Sequence, residues 1–273
     1  MGALMSVLRS MVMSFSLFSK IPMPQVRWEE NSMRYLMCFF PLVGAVEGAL
    51  LCLWAQMAHA LGLTAPLVAA GLLALPVIVT GGIHLDGYCD VHDALSSHAE
   101  AERKREILKD PHVGAFAVIG VVTYLLVYFG LACDLAQVGL TSGLTVSMAV
   151  PIVLVPVISR CLSGLSTLSF PKSSSKGMLS MEGSSDSKGR AIGVLVVVLL
   201  VSIALLLWFN ALAGVFMAFS ALLTFMALWR LSFEQFGGMS GDLAGWFLQV
   251  AELLMLGCLV LSAHLSQMGV TLW

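Results

Sequence analysis

Residues 62–93 read GLTAPLVAAGLLALPVIVTGGIHLDGYCDVHD, and the reading of this stretch decides the class of the fold. Positions 62–83 carry no charge and match the ~20 apolar residues that an α-helix needs to cross a bilayer. Directly after them come Asp86, Asp90 and Asp93, three carboxylates within eight residues. Read as helix, they fall at i, i+4 and i+7, on one face. Like charges stacked in this way repel each other, and a divalent cation among them relieves the repulsion. Hard carboxylate oxygens suit Mg²⁺ or Mn²⁺. The stretch therefore predicts a membrane crossing that delivers an acidic, metal-binding helix to the bilayer surface.

Composition extends this reading to the whole chain. Hydrophobic residues make up 59% of the 273 positions and charged residues only 11%, where a soluble domain carries ~25% charge. The expected architecture is an all-α polytopic membrane protein, a single domain over 1–273 with about seven spans. The apolar runs place them near 36–58, 62–83, 113–133, 143–165, 191–209, 211–229 and 244–264. Pro151 and Pro156 interrupt the fourth, where proline marks a kink. The N-terminal segment, 1–30, mixes Met, Leu, Phe and Ser with Arg9 and Lys20, and lacks a small-residue cleavage site. It reads as an interfacial amphipathic helix lying on the lipid bilayer. The six cysteines show no CxxC or Cys/His metal spacing and read as small apolar filler. A net charge of −2 gives no nucleic-acid signature.

Positive charge sets the orientation. Arg9, Lys20, Arg27 and Arg34 precede the first span, and Arg103, Lys104, Arg105 and Lys109 lie between the second and third. Lys172, Lys176, Lys188 and Arg190 lie between the fourth and fifth, with Arg160 near the end of the fourth, and Arg230 lies between the sixth and seventh. All 14 basic residues thus fall on one side, which predicts a cytoplasmic N-terminus and an external C-terminus. The acidic motif region at 84–112, the Ser/Lys-rich loop at 169–190 and the turn before the last span then share the cytoplasmic face. A site built from them would meet cytosolic substrates.

Two further elements supply companions to the acidic cluster. Glu100–Asp110 reads as a charged cytoplasmic helix, and its Lys109-Asp110 end leads through Pro111-His112-Val113-Gly114 into a span. Lys109 can hold a phosphate as a point charge, and Asp110 can complete a metal shell. Gly237-Gly238-Met239-Ser240-Gly241-Asp242 opens the last span, and glycine-rich turns at helix N-termini form anion-binding nests. Glu47 and Glu252 lie inside spans, where ionisable groups are costly and count as functional candidates. Gln249 lies one turn before Glu252 on nearly the same face.

Taken together, three motifs resemble the cobalamin synthase family, the adenosylcobinamide-GDP ribazoletransferases of late vitamin B12 biosynthesis. They are Gly81-Gly82-Ile83-His84-Leu85-Asp86-Gly87-x-x-Asp90-x-x-Asp93, Glu106-Ile107-Leu108-Lys109-Asp110-x-x-Val113-Gly114 and Gly237-Gly238-x-x-Gly241-Asp242-x-x-Gly245, followed by Gln249 and Glu252. The resemblance runs from the Phe18–Pro24 region to Glu252. It implies a Mg²⁺-dependent phosphotransfer, with Mn²⁺ as a substitute, at the inner face of a prokaryotic cell membrane. Adenosylcobinamide-GDP and α-ribazole or its 5′-phosphate are the expected substrates, and GMP the leaving product. Implied metal ligands are Asp86, Asp90, Asp93 and Asp110. Implied catalytic groups are Asp86, Asp90, Asp93 and Asp242, with Asp242 or a carboxylate of the first cluster as general base. Implied substrate-binding residues are Gly81, Gly82, His84, Glu106, Lys109, Arg160, Lys172, Lys176, Gly241, Gln249 and Glu252. A homo-oligomer, or a complex with other late cobalamin-pathway enzymes, is a further expectation. The chain departs from the family pattern in two places. His92 stands where small residues are usual, and the loop Pro171-Lys172-Ser173-Ser174-Ser175-Lys176-Gly177-Met178 lacks the aromatic and Arg found there in many members.

Two other classes fit the sequence less well. A CDP-alcohol phosphotransferase would carry Ala-Arg where Cys89-Asp90 stand, with a different downstream Gly/Asp spacing. An ion-coupled transporter would place its carboxylates near mid-membrane, whereas here they cluster at one surface.

Overall fold

The computed structural model describes residues 2–26, 35–140, 143–173 and 185–271. Lys176, Arg27 and Arg34 lie outside these ranges. Among the described residues the protein is helical, with a single isolated bridge between Lys172 and Met239. The helices are α1 (Gly2–Phe18), α2 (Phe40–Ala60), α3 (Ala65–Thr80), α4 (Ile83–Ser96), α5 (Ala101–Ile107), α6 (Ala115–Gly139), α7 (Val146–Ser169), α8 (Ser185–Phe209), α9 (Ala211–Phe236) and α10 (Gly241–Gln267). A 3₁₀ turn, Leu36–Phe39, leads into α2. Six of these stretches are long and apolar enough to cross a membrane, and the count is seven where the bent pair α3–α4 is taken as one span. The expected N-terminal helix is present as α1, whose apolar part, Met5–Phe18, is shorter than a span.

Short connections join α2 to α3, α6 to α7, α8 to α9 and α9 to α10, so each of these pairs reverses direction. Asn210 alone links α8 to α9 and caps the latter by accepting from Ala213 N at 3.1 Å. At this end Asn210 also donates to Ser147 O, Leu144 N donates to Gln56, and His264 meets Asp134 at 2.8 Å. The opposite end therefore gathers the start of α2, all of α4 and α5, the starts of α6 and α10, and the ends of α7 and α9.

One expectation about the spans is corrected. The second apolar run is not one straight crossing over 62–83. It stops at Thr80, because Gly81 and Gly82 both adopt left-handed backbone (φ +67° and +79°), which side chains other than glycine strain to reach. After this break α4 leaves at 95° to α3 and lies across the end of the bundle. The freed carbonyl of Val79 accepts from Lys20 N at 2.7 Å, so the segment after α1 satisfies the end of α3. The fourth run, in contrast, is a continuous helix through both Pro151 and Pro156. Within it, Pro156 O accepts a side-chain bond from Arg160 Nη1 at 3.0 Å.

Small residues let backbones approach closely. A Cβ on Gly48 of α2 would lie 2.6 Å from Val153 Cα of α7, the small-residue packing that holds membrane helices together. The α4–α10 contact is made in the same way. A Cβ on Gly87 would lie 2.8 Å from Asp242 O, and one on Gly245 would lie 3.0 Å from His84 O. This contact positions the site.

Candidate active site

Helix α4 carries the acidic face that its spacing predicts. Asp86 is exposed, and Asp90 and Asp93 are partly buried. The backbone contact at Gly87 brings Asp242, in the first turn of α10, alongside. Among the described residues no Lys, Arg or His pairs with Asp86, Asp90 or Asp242. Their fields add. Partial burial, then Asp86, Asp242 and Asp93, push the Asp90 carboxyl up to about 6. Burial raises the Cys89 thiol, helped by Asp90, Asp86 and Asp93.

Asp93 has a second task. Its Oδ1 accepts from Ala117 N at 3.2 Å, and its carboxylate packs against Gly114. Asp93 thus caps the N-terminus of α6 from a neighbouring helix, where exposed N–H groups and the helix dipole favour negative charge. This accounts for Val113-Gly114 in the second motif, since a side chain at 114 would strike the carboxylate.

The rest of that motif stands apart. Asp110 is exposed, accepts from His112 N at 3.0 Å and meets His112 Nδ1 at 2.7 Å, which lowers its carboxyl below the usual range. It does not join the α4 carboxylates, contrary to its expected place in the metal shell, because the turn after α5 directs it to its own neighbour. Glu106 faces solvent and pairs with Arg103 at 2.7 Å, and Lys109 is exposed.

The basic groups that do reach the site are ones the sequence motifs passed over. Lys104 is buried and donates to Gln235, and Arg105 donates to Phe236 O at 3.2 Å, with its guanidinium over Gly237. Helix α5 is thereby fastened to the end of α9 and the glycine turn. On the turn's other side, Met239 N donates to Pro171 O at 2.8 Å and Ser173 N donates to Met239 O at 3.1 Å. Gly238 needs both its φ of +145° and its bare Cα, since a Cβ there would lie 2.5 Å from Ser173 N. Lys172 is therefore held beside the turn. Ser240 caps α10 by accepting from Leu243 N at 3.2 Å, and Gly241 and Asp242 follow in its first turn. Lys20 lies over Gly81.

His84, Arg160 and Glu252 are not surface ligands. His84 is buried with no partner for Nε2, and burial together with Arg160 holds its imidazole well below the usual range, hence neutral. Arg160, expected at the end of a span among substrate-binding residues, is fully buried inside the bundle. Its Nη2 donates to Glu47 Oε2 at 2.7 Å and its Nη1 to Glu252 Oε1 at 3.0 Å. Ser159 Oγ donates to the same Glu252 oxygen at 2.6 Å. Three helices, α2, α7 and α10, meet in this one network. Glu47 and Glu252 also line a cavity of about 40 Å³ between α2, α3, α6, α7 and α10, with Tyr128 and apolar residues around it. Gln249, one turn above Glu252, is partly buried. The sequence held a signal for this network: one cation and two anions in apolar helices, which must pair if all are buried.

Among the described residues no three acidic, His or Cys groups converge into a ready-made metal cage. The donor set nevertheless fits a hard divalent cation. Mg²⁺ is usually held by one or two carboxylates with waters and substrate phosphates completing its shell, and Asp86, Asp90 and Asp242 offer oxygens whose charge nothing else offsets.

The fold and site define a multi-pass helical membrane protein with an acidic, glycine-bordered site at one end of its bundle. The chain belongs to the cobalamin-5-phosphate synthase family, whose model matches residues 10–260. An adenosylcobinamide-GDP ribazoletransferase of Lachnoclostridium phytofermentans is 41% identical over 250 residues, 92% of each chain. Proteins of the same name from Clostridium perfringens (33% identical, 88% of this chain and 92% of the relative) and Desulfitobacterium hafniense (34%, 92% and 96%) are also similar. No solved structure matches the chain.

Proposed function

We propose that this end of the bundle joins adenosylcobinamide-GDP to α-ribazole or its 5′-phosphate, giving adenosylcobalamin or its phosphate and GMP. The observation that carries the reading is the approach of Asp242 to the α4 helix that bears Asp86 and Asp90, across the Gly87 contact, within a chain that matches the family along most of its length. A ribose hydroxyl of the acceptor, one other than the 5′ oxygen that is already esterified in α-ribazole 5′-phosphate, forms a new bond to the phosphorus on the cobinamide side. The P–O bond to GMP breaks, and the hydroxyl proton is lost to a base. Asp242, partly buried and without a cationic partner among the described residues, is placed to take that proton. Arg105, Lys172 and the glycine turn lie together on the side where GMP would depart, and their positive charge offsets the charge that develops there. A Mg²⁺ or Mn²⁺ ion held by Asp86 and Asp90 would neutralise the pyrophosphate and stabilise the leaving phosphate. Asp93 contributes by fixing α4 against α6.

Orientation follows from charge. Lys104, Arg105, Lys109, Lys172 and Arg230 belong to this end, so the positive-inside rule turns it to the cytoplasm, with the N-terminus inside and the C-terminus outside. Arg160 no longer counts toward that bias, since it is buried. The test is direct. The purified protein in detergent, with Mg²⁺, adenosylcobinamide-GDP and α-ribazole, is expected to release GMP. No GMP from these substrates, with CMP released instead from a CDP-alcohol, would overturn the reading.

A further inference from the structure

The buried network of Glu47, Arg160, Glu252 and Ser159 touches none of the residues assigned to the reaction, yet it lies on the helices that present them. We propose that Arg160 and Glu252 are positioning residues, a register clamp that sets the start of α10, and with it Asp242, against the α4 carboxylates. The inference rests on the functional reading above for its kinetic arm only.

Arg160 is costly where it stands, fully buried inside the bundle. A guanidinium does not lose its proton in a protein, and a buried ion pair is often no more stable than apolar residues of the same volume. Such a network therefore contributes geometry more than stability. Here the geometry is specific. Arg160 is held to its own helix by Nη1 to Pro156 O at 3.0 Å, and reaches Glu252 on α10 and Glu47 on α2 with the two arms of its planar fork. Ser159 adds a second bond from α7 to the same Glu252 oxygen. Directional bonds to two successive residues of α7 fix the height of α10, whereas apolar side chains would let it slide.

The height of α10 decides the site. Glu252 lies ten residues below Asp242, ~15 Å along the helix axis. Above the clamp, α7 ends at Ser169 and passes into Pro171–Ser173, which is hydrogen-bonded on both sides of Met239, just before α10 begins. Lys172 thus rides on α7 and Asp242 on α10, and the clamp ties those two helices together. Gly87 and Gly245 bring α10 against α4 backbone to backbone, with no side chain to absorb a shift. A slip of one residue in α10 would move Asp242 by ~1.5 Å, and a misplacement of ~1 Å can cost ~10²-fold in rate.

The experiment uses the full-length protein with the apolar triple substitution Glu47→Leu/Arg160→Met/Glu252→Leu, which leaves no buried charge behind, and with Arg160→Lys. The triple variant is expected to fold, to keep KM within about 3-fold and to lose kcat by ~10²-fold. Arg160→Lys keeps the charge but not the fork, and is expected to lose ~10-fold. Glu252→Gln, which keeps an oxygen for Ser159 and Arg160, should recover most of the rate. Hydrogen exchange supplies a readout independent of the reaction: amides of 237–245 should exchange faster in the triple variant, while those of α8 stay as they are. A folded triple variant with full kcat and unchanged exchange at 237–245 overturns the clamp. So does a rise in KM at constant kcat, which would make these residues substrate contacts. If the triple variant does not fold, Arg160→Lys with unchanged kcat and unchanged exchange overturns it as well. Absence of GMP release by the unmodified protein would strike the functional reading alone, and the exchange experiment would still decide the clamp.

Discussion

Two regions of this molecule use the same carboxylate chemistry to opposite ends. At the surface, Asp86, Asp90 and Asp242 face one another with no cationic partner among the described residues, and Asp90 holds its proton up to about 6. Inside the bundle, Glu47 and Glu252 share one guanidinium and a serine hydroxyl at 2.6–3.0 Å. Uncompensated charge at a surface can be completed by a ligand, and it keeps the region adaptable. Charge paired in an apolar interior is held by fixed partners, even though one guanidinium serves two carboxylates and Arg160 Nε has no acceptor among the described residues, and it holds helices in one register. The distinction separates residues that touch substrate from residues that place them.

The contrast breaks most visibly through Asp90→Asn. Removing a carboxylate that faces the reacting phosphates is expected to lower GMP release by at least ~10²–10³-fold, measured in the purified protein. Heat stability in the absence of divalent cation should hold or rise, because a source of like-charge repulsion is gone. pH sharpens the point. The folded-state value for Asp90, about 6, lies above the ordinary carboxylate value of 3.8. The folded state therefore binds the extra proton, and its contribution to stability is complete below about pH 4 and lost as pH rises through about 6. Metal-free protein should melt at progressively lower temperature across that window, and Asp90→Asn should flatten the dependence. Full activity in the Asn variant would mean that the surface carboxylates do not serve the reaction.

The buried network should respond the other way round. Arg160→Met alone leaves Glu47 and Glu252 in the interior without their counter-charge. Breaking a buried pair in this manner destabilises by ~3–5 kcal/mol. The loss should show as a fall in the temperature of detergent-solubilised aggregation, with or without Mg²⁺. A variant as stable as the parent would show that the two carboxylates are compensated from elsewhere, and would remove the contrast between the regions.

How much of this was legible beforehand follows from which forces act locally. The crossings were readable because each buries its own backbone polar groups and needs only a long apolar run. The acidic face of α4 was readable because helical spacing is a property of adjacent residues. The break at Gly81-Gly82 was half-legible: the glycines marked a turn, but the apolar run past it suggested one straight span. Arg160 was misplaced because it stands near the end of its span, where a basic residue ordinarily reaches the surface. Its partners lie 113 and 92 residues away, and nothing in the spacing joins them. Lys104 and Arg105 were read as part of a solvated helix, since their attachment to Gln235 and Phe236 is a contact 131 residues apart. The role of Asp93 as a cap for α6 was hidden for the same reason.

The smallest effect belongs to Asp110, and it decides where the surface region ends. By motif it belongs with the metal ligands. In the folded protein it is exposed and turned to His112, whose backbone N–H and ring nitrogen it engages. Asp110→Asn keeps an oxygen for the His112 amide and removes only a solvated charge, so the turn before α6 should persist. Mg²⁺ activation of GMP release should shift by no more than about 3-fold, well short of the ~10-fold or greater loss of affinity expected when a ligand or the group orienting it is removed. The Mg²⁺ concentration for half-maximal activity measures this. A shift of 10-fold or more would extend the acidic region from α4 across the α5–α6 turn. It would also mean that this turn refolds onto the ion when substrate binds, because in the present arrangement His112 already occupies the carboxylate.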